Sequence, residues 1–193
     1  MDEKYYLLKI QLLEIKPIIW REFFVPASIS LDRLHEVIQD VMGWANYHLY
    51  EFEINGTIYT EEPESPEEGR KSKKYKLGDL VSAKGEKFKY TYDFGDNWVH
   101  LIELKDCIDM VPDPKSPVRC IAGKRACPPE DSGGPWGYIE LLKILKNPNH
   151  EEYEEIADWA GGDFDSERFV LDWINEELEK YRFNTRKKKK SNE

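Results

Sequence analysis

The chain is predicted to fold as an α+β domain: an antiparallel, roll-like sheet, one helix after the first hairpin, and three C-terminal helices packed on it. Two observations predict this. Stretches of alternating apolar and polar residues, rich in aromatic and β-branched side chains, crowd the chain before Cys107. Helical patterns crowd it after Gly134, with one more between the strands. A doubly wound parallel fold would need strands and helices to alternate throughout, and they do not.

Composition agrees with a folded domain. The 193 residues are 40% hydrophobic and 13% aromatic, enough to build a core. No apolar run approaches the roughly 20 residues that span a bilayer. The start Met1-Asp2-Glu3 lacks the basic-then-apolar order of a signal peptide, so the expected setting is cytoplasmic, with no membrane contact. The three cysteines, an odd count, fit reduced thiols better than a disulfide framework.

In chain order, Tyr5–Leu13 and Ile18–Val25 predict a hairpin around Lys16-Pro17. Ser30 then precedes a helix over Leu31–Met42, whose apolar face is Leu31, Leu34, Val37, Ile38, Val41 and Met42, with Gly43 to end it. His48–Ile54 and Thr57–Thr60 read as strands around Asn55-Gly56, a strong hairpin signal. This pattern puts His48 on one strand face with Tyr50 and Phe52, as a core or edge residue. Residues 61–75 are charged, proline-bearing and poor in apolar side chains, which predicts a mobile surface loop. Residues 108–135 hold six prolines and three glycines, too many breakers for a long regular element. Helices are expected over Pro135–Lys146, over His150–Ala160, and from Asp165 to about Tyr181. One domain over residues 1–181 accounts for all of this, with residues 182–193 as a disordered basic tail.

The stretch Tyr90-Thr91-Tyr92-Asp93-Phe94-Gly95-Asp96-Asn97-Trp98-Val99-His100 reads as a further hairpin with a short loop. With a two-residue loop, centred on Gly95-Asp96 or Asp96-Asn97, Asp93 and His100 share one face, because side chains alternate with period two. Phe88, Tyr90, Tyr92, Val99 and Leu101 then make the opposite, apolar face. Asp93 and His100 are therefore expected within ion-pair reach. Trp20, Trp44 and Trp98 are read as core aromatics.

Charge is distributed unevenly. The chain has 28 basic and 38 acidic residues, a net charge of -10. Residues 182–193 hold six of the basic groups against one acid, so the body carries 22 basic against 37 acidic groups. Such a body repels phosphates. Nucleic acid could be engaged only through Arg186, Lys187, Lys188, Lys189 and Lys190, and a basic protein is the partner that the acidic body favours.

Ordered motifs carry a family resemblance: Lys16-Pro17-Ile18-Ile19-Trp20-Arg21, Leu34-His35-Glu36-Val37-Ile38-Gln39, Gly43-Trp44, His48-Leu49, Tyr92 to His100, and Pro128-Pro129-Glu130-Asp131-Ser132-Gly133-Gly134. Over about residues 4–180 the chain resembles the plasmid pRiA4b ORF-3-like family, whose members include passenger proteins of insertion sequences. The resemblance implies an α+β roll and an association with plasmids or mobile elements. It implies no catalytic residues.

The strongest chemical constellation is Asp93, Asp96 and His100 at the hairpin, with Glu130 and Asp131 from the proline-rich segment. Carboxylates with a histidine can hold a divalent cation, Asp93, Asp96 and His100 being the metal candidates, or divide acid and base roles. The ordinary alternative is a turn aspartate and a cross-strand ion pair. Cys107, Cys120 and Cys127 lack close paired spacing, so a zinc site with His100 is disfavoured. Gly133-Gly134 before a helix has the form of an anion-binding start, but Glu130 and Asp131 stand just upstream. The chain thus fits two function classes: a non-enzymatic binding or accessory module, or a metal-dependent hydrolase or nuclease using the Asp/His cluster.

Overall fold

The computed structural model describes residues 4–109 and 116–181; the expectation of a disordered tail lies outside the described residues. Eight strands form one sheet: β1 (Tyr5–Leu12), β2 (Trp20–Pro26), β3 (Tyr50–Ile54), β4 (Thr57–Thr60), β5 (Arg70–Lys71), β6 (Lys87–Tyr92), β7 (Trp98–Ile108) and β8 (Arg119–Lys124). Their order is β5-β4-β3-β6-β7-β1-β2-β8, antiparallel throughout except for the short β4/β5 pair. The helices are α1 (Leu31–Met42), α2 (Gly134–Leu145), α3 (Tyr153–Trp159) and α4 (Leu171–Glu177).

The alternation of the strands sorts one face into the core. Tyr6, Leu8, Ile10 and Leu12 of β1 are buried, as are Tyr50, Phe52 and Ile54 of β3 and Phe88, Tyr90 and Tyr92 of β6. They form one cluster with the predicted apolar face of α1, every member of which is buried. Gly43 takes the left-handed conformation (φ 96°) that ends α1, and its amide bonds the Gln39 carbonyl. Arg21 clamps the far side of this core. Its guanidinium is buried, donates to the carbonyl oxygens of Val41 (2.9 Å), Trp20 (2.8 Å) and Lys124 (3.0 Å), and lies over the Phe169 ring.

Three stretches hold more or different regular structure than the sequence pattern specifies. The proline-rich segment contains a strand, β8, which pairs with β2. Its outer edge is met by a side chain: Asn175 of α4 accepts from the Cys120 amide and donates to the Cys120 carbonyl, both at 3.0 Å. That amide group stands in for a neighbouring strand and caps the edge. The last helix begins at Leu171 rather than near Asp165, whose carboxylate instead accepts the Glu167 amide (2.9 Å) in a turn. The segment 61–75 is not wholly irregular, since it contains β5 and a 3-10 turn over Ser72–Lys74. Ser72 there is buried and bonded to the Tyr50 hydroxyl at 2.8 Å.

Trp44 and Trp98 are core residues as expected, whereas Trp20 is half-buried beneath the Lys9 ammonium. The cysteines are unpaired, and burial pushes the Cys120 thiol up to about 11, away from nucleophilic use. No helix among the described residues is long and apolar enough to cross a membrane.

Candidate cation site at the hairpin tip

The hairpin loop decides which side chains reach the end of the sheet. Tyr92 pairs with Trp98, so the loop has five residues, Asp93 to Asn97. Asp93 (φ 55°) and Asn97 (φ 57°) are left-handed, and the Asp93 carbonyl accepts the Asn97 amide at 2.5 Å. The Asp93 carboxylate accepts the Gly95 amide at 2.9 Å, which holds the turn.

This register reverses the expected faces. His100 and Trp98 lie on the buried face with Tyr90 and Tyr92, while Val99 and Leu101 lie on the other. The expected Asp93–His100 pair is therefore not formed. His100 is fully buried, its Nδ1 is 3.2 Å from the Tyr90 carbonyl oxygen, and its ring stands edge-on to Trp44. Desolvation lowers it to about 3, so it is a neutral core group, and it lies outside the converging His48, Asp93 and Asp131 group.

Asp96 also leaves the expected cluster. Its carboxylate accepts the Gly133 amide at 3.1 Å, so the helix start that has an anion-binding form receives the protein's own carboxylate. Gly134 (φ 68°) is required beside it, because a Cβ there would lie 2.4 Å from the Asp96 carbonyl oxygen. This latch draws the Pro128–Gly133 loop onto the hairpin.

Asp93, Glu130 and Asp131 are brought together as expected, but around His48. The His48 Nε2 atom is 3.0 Å from Asp131 Oδ1, 3.6 Å from Asp93 Oδ2 and 3.9 Å from Glu130 Oε2. It is buried yet makes no hydrogen bond. His48, Asp93 and Asp131 can each offer one ligand atom within 4.8 Å of the others, and no second such group of three exists among the described residues.

Two further residues brace the cluster. Glu130 accepts the Tyr92 hydroxyl at 3.1 Å and the Ala45 amide at 2.8 Å, and the same hydroxyl accepts the Tyr47 amide at 3.0 Å. Burial first, then the Glu130 charge, raises the Tyr92 phenol well above its ordinary range, so it stays a donor. Trp44 Nε1 donates to the Pro128 carbonyl at 3.0 Å, fastening the root of the same loop. Asp93 is buried, whereas the Asp131 side chain is 68% exposed, so the cluster opens to solvent on the Asp131 side. A cleft of about 370 Å³, lined by His35, Tyr47, His48, Tyr50, Lys71 and Lys73 among others, adjoins it. Tyr47, Leu49 and Phe94 beside the cluster are exposed.

Sequence reasoning missed His48 by carrying β3 back through it. The strand starts at Tyr50, and His48 belongs to the loop after Gly43. The signal was present in Gly43 and Asn46, turn-forming residues that break the chain's regularity just ahead of His48.

The model of the family described as plasmid pRiA4b ORF-3-like protein matches residues 4–173. The chain belongs to that family. A curated relative, the uncharacterized protein y4hQ of Sinorhizobium fredii, is 38% identical over 175 residues, covering 89% of each chain. A crystal structure of a protein of unknown function from Methanosarcina mazei, MM3350, has 41% identity and a TM-score of 0.80, covering 89% of this chain and 98% of that one. Both relatives are described as uncharacterized or of unknown function.

Proposed function

We propose that the chain is a divalent-cation-binding module, with the cation held by His48 Nε2, Asp93 Oδ2 and an Asp131 carboxylate oxygen. One observation carries this: a buried imidazole nitrogen lies within 4 Å of three carboxylates and hydrogen-bonds to none of them. Buried polar atoms are normally hydrogen-bonded, and a ring nitrogen facing convergent oxygens without a bond has the geometry of a ligand. The mixed nitrogen and oxygen donors suit manganese, iron or zinc better than calcium. Three protein donors leave coordination positions for a second ligand, and exposed Asp131 leaves room for it. The association with plasmids or mobile elements implied by the family belongs to this proposal, as an accessory role. So does a reducing, cytoplasmic setting, which suits the unpaired thiols.

A metal-dependent hydrolase is the second reading, favoured by the position of Glu130. Its carboxylate is fixed by Tyr92 and Ala45 and lies 3.9 Å from the same His48 nitrogen. A carboxylate so placed can take a proton from a water polarised at the site. Calorimetric titration of chelator-treated protein with manganese and zinc tests the site. Hydrolysis of bis(p-nitrophenyl) phosphate by the loaded protein, abolished by Glu130→Gln with cation binding retained, would select the enzyme; no turnover would select the binding module.

A further inference from the structure

On the other side of the Pro128–Gly133 loop, α2 and α3 enclose a groove of about 660 Å³. Leu141, Ile144, Ile156 and Trp159 line its floor, and Trp159 is 49% exposed. The helix α3 contributes no fully buried residue, so the face it turns to the groove is only half covered. The charged groups lining the groove are acidic: Asp131, Glu140, Glu152, Glu155 and Asp158. Glu140 is paired with Lys143, and Glu152 has His150 at 4.0 Å. Glu155 and Asp158 have no side-chain ion pair among the described residues, so the rim presents uncompensated negative charge.

An apolar floor within an acidic rim selects its occupant by two criteria. The floor needs apolar side chains on one stripe, and the rim needs cations flanking that stripe. Nucleic acid fails because its phosphates meet carboxylates. A second copy of this acidic body fails by like-charge repulsion. We propose that the groove docks an amphipathic helix of a protein partner, with leucine-like residues on Ile144, Ile156 and Trp159 and lysine or arginine against Glu155 and Asp158. Helix-in-groove recognition uses this combination of anchors and charges.

The probe is a fluorescein-labelled 14-residue peptide of leucine and lysine with helical periodicity, titrated into the full chain at physiological salt by fluorescence anisotropy. Saturable binding is expected, with slowed amide exchange confined to residues 134–159. The variant Glu155→Lys/Asp158→Lys should bind at least ~10-fold more weakly with an unchanged melting temperature, because both side chains are on the rim. Trp159→Ala should weaken binding as well, and a peptide with glutamate in place of lysine should not bind. Equal affinity in the double variant, or protection spread over the acidic surface, would overturn the proposal. So would a tenfold gain in affinity when Arg186 to Lys190 are replaced by glutamine, which would make the chain's own basic run the occupant.

Discussion

Two histidines thirteen positions apart, His35 and His48, approach the same end of the sheet and meet opposite fates. His35 belongs to a closed hydrogen-bond circuit. The Gln39 amide donates to the Tyr90 hydroxyl (2.9 Å), Tyr90 donates to His35 Nδ1 (2.8 Å), His35 Nε2 donates to Asn46 Oδ1 (2.6 Å), and the Asn46 amide returns to Gln39 Oε1 (3.1 Å). Its ring stacks on Tyr50 at 3.6 Å. Both ring nitrogens of His35 have partners, so the imidazole is satisfied without a ligand, and burial pushes His35 down to about 4. His48 has partners of the right kind at the right distances but no hydrogen bond to them. The contrast separates a polar group that is satisfied within the core from one whose buried nitrogen is left without a hydrogen bond.

Substitutions should divide the two regions cleanly. The largest effect is expected from His35→Ala, which removes the acceptor of the Tyr90 hydroxyl proton and the donor to the Asn46 side-chain carbonyl. It should cost about 3 kcal/mol of stability by urea unfolding and leave the proposed cation ligands in place. His48→Ala should do the reverse, lowering manganese or zinc affinity by about 100-fold while changing stability by no more than about 1 kcal/mol. Equal losses of stability in the two variants would erase the distinction.

Acid should act on the enclosed histidines. His35 and His100 have folded values of about 4 and about 3, below the ordinary 6.5, so the unfolded chain takes up protons that the folded chain refuses. Their contribution to stability is complete above pH 6.5 and falls as the pH drops from 6.5 toward 4. Each contributes a slope of up to about 1.4 kcal/mol per pH unit in that window. His35→Gln should remove about one proton from the measured slope, read from urea midpoints between pH 7 and pH 4.

The smallest effect should come from Tyr92→Phe, which removes the hydroxyl that holds Glu130 and the Tyr47 amide. It should weaken cation binding by about 10-fold, by calorimetry, with the fold retained.

Most of the architecture is legible in the chain, because local pattern and burial agree there. The residues of α1, its glycine stop, and the Asn55-Gly56 hairpin stand where propensity and periodicity place them. The illegible parts depend on long-range contacts or on loop length. The strand β8 exists because β2 offers it an edge and Asn175 covers the other, neither visible in a proline-rich stretch. The candidate site is half legible. Asp93, Glu130 and Asp131 group together in the sequence and converge in the fold, while Asp96 and His100 join them only under a two-residue loop. The five-residue loop shifts the register and carries His100 into the core, because a change of parity moves a side chain to the opposite face. The missing histidine comes from the loop after α1, which only the folded chain brings to Asp93.

Calorimetry with manganese and zinc on chelator-treated wild-type protein, beside His48→Ala, tests the difference between the two histidines most directly. One cation per chain in the wild type, with affinity reduced about 100-fold in His48→Ala at a retained fold, is the expected outcome. Wild type that binds neither cation, or a His48→Ala variant that binds equally well, would make the His48 cluster an ordinary surface ion-pair network.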